Sequence, residues 1–147
     1  MSKIHFFYQE TKFKLNKKQK IQLQRWIIQI VQHFNFDLIE LNYVFCSDGI
    51  LSQYNIRYLQ HNTLTDVITF DNSDYQRQIE GDILISIDRV RENAEKYGVS
   101  FDSELHRVMV HGLLHLLGFK DKTPEQKIIM RQQEDFCLLL WEQGKYT

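Results

Sequence analysis

The sequence predicts an α+β domain, a small mixed β-sheet with helices packed on it. Three observations predict it. Short runs rich in β-branched and aromatic residues (IHFFY, LIELNYVFC, DVITFD and GDILISI) sit between longer helical patterns. Capping residues and glycines mark where the helices start and stop. The chain has 147 residues, 43% hydrophobic and 25% charged, which suits one domain able to bury a core rather than a disordered chain. Residues 1–147 are therefore read as a single domain, without internal repeat or low-complexity linker.

In chain order, residues 4–8 form a first strand. Lys12, Lys14, Lys17, Lys18 and Lys20 follow; they suit a solvated helix start and are also the best basic patch for phosphate contacts. Asn16 caps a helix over 17–33, with Ile21, Ile27, Ile28, Val31 and Phe34 inward. Residues 38–46 alternate as a strand, and Ser47 or Asp48 caps a helix through about Leu59. HNTL is a polar connection, residues 66–71 a short strand, and 71–80 a polar loop long enough to lie over a site. Residues 81–87 form a strand buried on both faces. Asp88 caps the next helix, with Val90, Ala94 and Tyr97 inward and Gly98 as its stop. Thr123, Pro124 and Gln126 make a capping box with Pro at the first helical position. The helix they open runs to about 142, with Ile128, Ile129, Phe136, Leu139 and Leu140 as its core face.

Composition narrows the function. A net charge of −1 gives no global basic field, so any nucleic acid must be attracted by a local patch. Cys46 and Cys137 lie far apart in apolar settings and read as reduced core thiols of a cytoplasmic protein. No apolar run approaches ~18 residues, and MSKIHFFYQE lacks a hydrophobic signal core, so membrane spanning and secretion are not expected.

Residues 100–124, SFDSELHRVMVHGLLHLLGFKDKTP, carry the chemistry. Ser100 caps a helix whose first turn holds Asp102 and Glu104, and Gly118 ends it. Apolar residues wrap most of the circumference, leaving Glu104, Arg107, His111 and His115 on one polar stripe. Side chains four residues apart stand roughly 6 Å apart and point the same way. Two imidazoles so placed can meet one metal ion, each nitrogen about 2.0–2.1 Å from zinc. Such pairs also arise on ordinary solvent faces, and Glu104 and Arg107 fit that reading. Asp121 lies just past Gly118, where a left-handed glycine can reverse the chain and return a carboxylate as third ligand. Two His and one Asp leave a place for water, as catalytic sites do. In the peptidase motif HExxH the residue after the first His is a Glu that acts as general base. Here it is Gly112, so peptide hydrolysis by that route is disfavoured and the general base is unassigned.

HGLLHLLGFKD resembles the HGxLHLxGxxH signature of the YbeY family, metal-dependent endoribonucleases of ribosomal RNA maturation. TDVITF (65–70) is similar to the family's TDVLSF, and GDILIS (81–86) to its GD-plus-strand segment. The resemblance implies a zincin-like arrangement with a metal-binding helix. It implies a zinc-dependent, single-strand-specific endoribonuclease in 16S rRNA 3′-end maturation and ribosome biogenesis. His111, His115 and Asp121 would bind Zn2+, one per chain, and act through the water it activates; nickel or iron accept the same ligands. Implied partners are ribosomal RNA, the small ribosomal subunit, and a ribosomal protein or assembly GTPase. Asp66 and Asp82, which alone would read as strand-edge residues bonding backbone donors, become candidates for orienting the imidazoles. His61 becomes a candidate substrate or proton-transfer contact; His106 reads as packed, and His5 and His33 as structural or exposed. The chain departs from the family twice. Asp121 stands for the usual third His, and Leu59 for an Arg that would hold a phosphate. Arg57 is nearby, but about 200° round the helix from that position. Two other readings stand beside the nuclease: a ribosome-assembly binding module with a structural metal, and a hydrolase of small phosphodiesters.

Overall fold

The structure, a computed structural model, describes residues 2–59, 65–144 and 146, without the side chains of residues 58 and 59. The elements are β1 (Ile4–Gln9), α1 (Lys17–His33), β2 (Asp37–Cys46), α2 (Asp48–Leu59), β3 (Val67–Asp71), β4 (Gln78–Ser86), α3 (Ile87–Tyr97), α4 (Phe101–Leu116) and α5 (Pro124–Gln143). They pair into a mixed four-stranded sheet of order β1-β2-β4-β3. β1, β2 and β4 run parallel, and β3 closes the edge antiparallel to β4. This is the α+β class read from the sequence.

Both faces of the central strands are covered. On one face Leu41, Tyr43 and Phe45 of β2 and Ile79, Ile83 and Ile85 of β4 meet Trp26, Ile27 and Ile30 of α1 and Met109 and Leu113 of α4. On the other, Cys46, Leu84 and Ile68 pack beneath Leu51 of α2. Two buried hydrogen bonds set how the helices sit. Tyr43 Oη donates to the Met109 carbonyl (3.1 Å), and Trp26 Nε1 donates to the Cys137 carbonyl (2.9 Å). Each joins a buried aromatic's polar atom to a helix, because leaving that atom unpaired would be costly. The two thiols are free and buried, and burial pushes each up to about 12, so they are inert.

Several expectations are corrected. β4 begins at Gln78 rather than 81, because Gln78, Ile79 and Glu80 pair with β2 while the Asp37 amide donates to the Arg77 carbonyl. Backbone pairing wins over polar side chains there, and the loop shrinks to residues 72–77. The cap of α3 is Ser86, whose Oγ accepts from the Arg89 amide. Asp88 instead accepts from the Asp48 amide, and Ser47 caps α2. Tyr97 is 60% exposed, not inward, and Ile28 of α1 also faces out. α5 is turned from its expected face: Met130, Glu134 and Cys137 are inside, while Ile128, Ile129 and Leu139 are exposed. Apolar residues lie all round this helix, so the bonds to Trp26 and to α4 decide its rotation. The polar connection HNTL falls outside the described residues.

His106 packs between Trp26 and Trp141, with ring centroids 5.5 and 4.4 Å away. Burial there lowers its pKa from 6.5 to about 4, against a small opposing pull from Asp102. The unfolded chain therefore takes up a proton between about pH 6.5 and about 4 that the folded chain refuses, so stability falls as pH falls through that window. A His106→Phe variant should lose less stability than the native chain between pH 7.5 and 4.5 in urea unfolding. Equal losses would count against it.

α4 lies tight on the sheet at Gly112. A Cβ there would stand 2.7 Å from Ile83 Cγ2 and 3.4 Å from Thr69 Cγ2, and Ile83 is fully buried. Gly112→Ala would gain about 1 kcal/mol of helix propensity but lose roughly 1–3 kcal/mol to overpacking. Net destabilisation in chemical unfolding is the expected result; a gain in stability would show that α4 can lift freely.

Candidate metal centre

α4 ends at Leu116, and Gly118 follows in a left-handed backbone (φ 101°) that favours glycine. The amides of Gly118 and Phe119 close the turn on the carbonyls of His115 and Leu114. Phe119 then anchors the returning chain against Phe34, with ring centroids 5.6 Å apart. This return carries Asp121 back over the last turn of α4. His111 Nε2 and His115 Nε2 are 3.1 Å apart, and Asp121 Oδ2 lies 3.2 Å from the first and 3.4 Å from the second.

The remaining nitrogens decide what this triangle means. His115 Nδ1 donates to the Phe119 carbonyl (3.1 Å), and His111 Nδ1 donates to Glu134 of α5 (2.7 Å). With both Nδ1 atoms holding protons, both Nε2 lone pairs face each other and a carboxylate oxygen. Three such acceptors in contact repel unless positive charge stands among them. A proton on one ring relieves part of this; one metal ion relieves all of it. Ligand bonds of about 2.0–2.1 Å in a tetrahedron put ligand atoms about 3.3 Å apart, close to the spacing seen. His111, His115 and Asp121 are the group among the described residues that could hold a metal ion.

Glu134 is 6% exposed and also takes Arg107 Nη1 (2.8 Å), while Arg107 Nη2 reaches Asp135 (3.0 Å). Burial works to raise Glu134, yet the hydrogen bonds and charges of His111 and Arg107 hold it below the usual carboxylate range. Burial works to lower His111, and the bond to Glu134 with the charges of Glu134, Asp121 and Asp66 raises it overall. The centre opens on a cleft of about 690 Å³. Asp66 and Glu104 line its wall, and the cations Lys127 and Arg131 line it from α5.

Residues 5–142 match the family described as Endoribonuclease YbeY. The chain belongs to that family. An Endoribonuclease YbeY of Cytophaga hutchinsonii is 47% identical over 93% of this chain and 94% of its own length. One of Amoebophilus asiaticus is 46% identical over 92% and 91%. The solution structure of TM1509 from Thermotoga maritima shares the fold, with a TM-score of 0.60 and 23% identity over 96% of this chain and 94% of that one.

In this YbeY-family chain the structure brings together His111, His115 and Asp121 but not the two aspartates proposed to orient the rings. Asp82 takes Asn42 Nδ2 (2.9 Å) and Asn72 Nδ2 (3.3 Å) and lines a separate groove with Val44 and Leu84. The period of two in β4 turns it to the face opposite Gly81 and Ile83, which pack against α4. Asp66 does line the metal cleft, where burial holds its carboxyl above the usual range, but the rings are bonded by Glu134 and Phe119 instead. Arg57 stands in the last turn of α2, away from the described lining of the cleft. His61 and the Leu59 side chain lie outside the described residues.

Sequence reasoning missed Glu134. Its signal is a carboxylate on the stripe Met130, Glu134, Cys137 and Trp141, a buried helical spacing that the brighter Ile128–Ile129 pair conceals. Carboxylates that hold a ligating imidazole typically matter about 10–100-fold in metal affinity. Glu134→Gln is expected to weaken zinc binding by that order in a competition titration against a chromogenic chelator. Unchanged affinity would mean that Glu134 does not orient His111.

Proposed function

We propose that this chain is a zinc-dependent endoribonuclease that hydrolyses single-stranded RNA. Its RNA is ribosomal, at the 3′ end of 16S rRNA within the small subunit, and it works in the cytoplasm with a ribosomal protein or assembly GTPase. The observation that carries the enzymatic reading is the convergence of His111, His115 and Asp121 at 3.1–3.4 Å beside an open cleft, in a chain of this family. Ribosomal RNA as target rests on the family resemblance. Zinc rests on the two-imidazole, one-carboxylate set. No helix among the described residues is long and apolar enough to cross a membrane.

When bound, the metal would supply an activated water and polarise a phosphate oxygen. The protein's own work is positioning. Glu134 and the Phe119 carbonyl fix both rings with their Nε2 atoms inward. Arg107 neutralises Glu134 and is committed there. Lys127 and Arg131, largely in solvent at the cleft wall, give a chain of net charge −1 a local place for phosphates. Gly112 leaves no carboxylate beside the first ligand, so no α4 side chain takes the role of the peptidase base.

Leu59 in place of the family's Arg favours a second reading, an assembly module that binds ribosomal particles and keeps a structural metal. One experiment separates them. A single-stranded 16S rRNA fragment is incubated with the metal-loaded protein, the chelated protein and a His111→Ala, His115→Ala variant. Cleavage should fall at least 100-fold in the last two and return when zinc is added to the chelated sample. Equal cleavage in all three would overturn the metal mechanism. Absence of cleavage with retained binding to small-subunit particles would support the module.

A further inference from the structure

Glu104 stands seven residues before His111 on α4 and lines the same cleft. It is 94% buried by the measure of its 6% exposure, and its carboxyl group makes no hydrogen bond or ion pair among the described residues. The fully enclosed side-chain polar atoms among the described residues are all satisfied, so the Glu104 oxygens keep their contact with solvent through the cleft. Its neighbour on the helix, Arg107, has turned to Glu134 and Asp135. A carboxylate that takes no donor from the protein and meets solvent only through a cleft is open to a ligand that brings donors.

The distance says which part of an RNA that would be. Seven residues of α-helix span about 10 Å. That is too far for a group acting on the bond being cut, and about the breadth of one nucleotide. The wall nearby offers Tyr97, largely exposed, and Val99. An exposed aromatic ring beside an unpaired acceptor is how proteins hold an unstacked base of single-stranded RNA, face on the ring and edge on the polar group.

We propose that this part of the cleft reads one guanine close to the scissile phosphate, with its N1–H and N2–H donating to the Glu104 carboxylate and its face on Tyr97. This rests on the reading of the chain as an RNA-cutting enzyme. Guanine presents two donors side by side on its Watson–Crick edge and so suits a carboxylate's two oxygens. Adenine and cytosine set one donor beside a ring-nitrogen acceptor, and uracil sets one donor between two carbonyls; each opposes the carboxylate with a lone pair. Burial first, and then the charge of Asp66, hold the Glu104 carboxyl above its usual range, against the pull of Arg107 and Arg131. A second metal ion fits less well. His111, His115 and Asp121 are the group of three close ligands found among the described residues, and Arg107 and Arg131 already place positive charge near Glu104.

The test uses the metal-loaded protein and short single-stranded RNA oligonucleotides, with binding read before they are cut and their integrity checked on a gel. One position is guanine, inosine or adenine, and binding is read by fluorescence anisotropy. Removing the N2 amino group as inosine should weaken binding about tenfold, and adenine should weaken it further. Cleavage of mixed-sequence single-stranded RNA should fall at one fixed offset from a guanine. Glu104→Gln should lose this discrimination while keeping its metal content, and Tyr97→Ala should weaken all the oligonucleotides alike. Equal binding of the three native-protein probes would overturn the proposal, and that comparison needs no variant. So would a Glu104→Gln protein that still prefers guanine, or a second metal equivalent that this substitution removes. RNA cut without base preference would sink the guanine site and leave the nuclease standing; RNA neither bound nor cut would sink both.

Discussion

The bond from His111 Nδ1 to Glu134 is the contact on which the rest of the centre depends. It is a 2.7 Å charge-assisted bond between two helices, made by a carboxylate that is almost fully buried. On the α4 side it fixes the tautomer and rotation of one candidate ligand. On the α5 side it fixes the rotation of a helix whose own apolar pattern points elsewhere. Arg107 makes the burial tolerable by pairing with the same carboxylate, so ring, acid and guanidinium form one unit. Removing His111 or Arg107 leaves the buried Glu134 carboxylate with one partner instead of two.

The polar stripe of α4 was readable in the sequence, but the work of its four members was not. Glu104, Arg107, His111 and His115 all fall within a narrow arc, and all are at least partly buried. His111 and His115 could hold a metal ion with Asp121, Arg107 supports the carboxylate behind them, and Glu104 lines the cleft. Helical spacing shows that these residues share a face. It cannot show that α5 would bring Glu134 to that face, because that contact spans 23 residues from His111 and depends on tertiary packing.

The same division runs through the fold. Element types and order follow from capping residues, glycines and β-branched runs, which are local signals. The α1 cap at Asn16, the Thr123 capping box and the stops at Gly98 and Gly118 stand where the sequence put them. The Ser86 cap of α3, the early start of β4 and the face of α5 were not legible. Each depends on a partner far away in sequence: Asp48 holds Ser86, β2 recruits Gln78 to Glu80, and Trp26 seizes the Cys137 carbonyl. The aspartates show the limit within the site. Asp66 and Asp82 look alike in sequence, each at the head of a strand segment, but the period of two sends Asp82 to the other side of the sheet.

Gly112 links the fold to the kind of chemistry the centre can run. Its missing Cβ lets α4 settle on Ile83 and Thr69, and that approach seats His111 at the cleft with His115 one turn further on. A glutamate at this position, as in the peptidase motif, would put its stem into the sheet, so the base of that motif is excluded by packing as well as by sequence. The carboxylate that supports the centre comes instead from α5, behind His111, where it is held by the ring and by Arg107. The cleft carries the candidate ligands His111 and Asp121, the acids Asp66 and Glu104, and the cations Lys127 and Arg131. A phosphodiester suits that arrangement better than a peptide. It brings its own negative oxygens to the cations and asks less of a dedicated protein base.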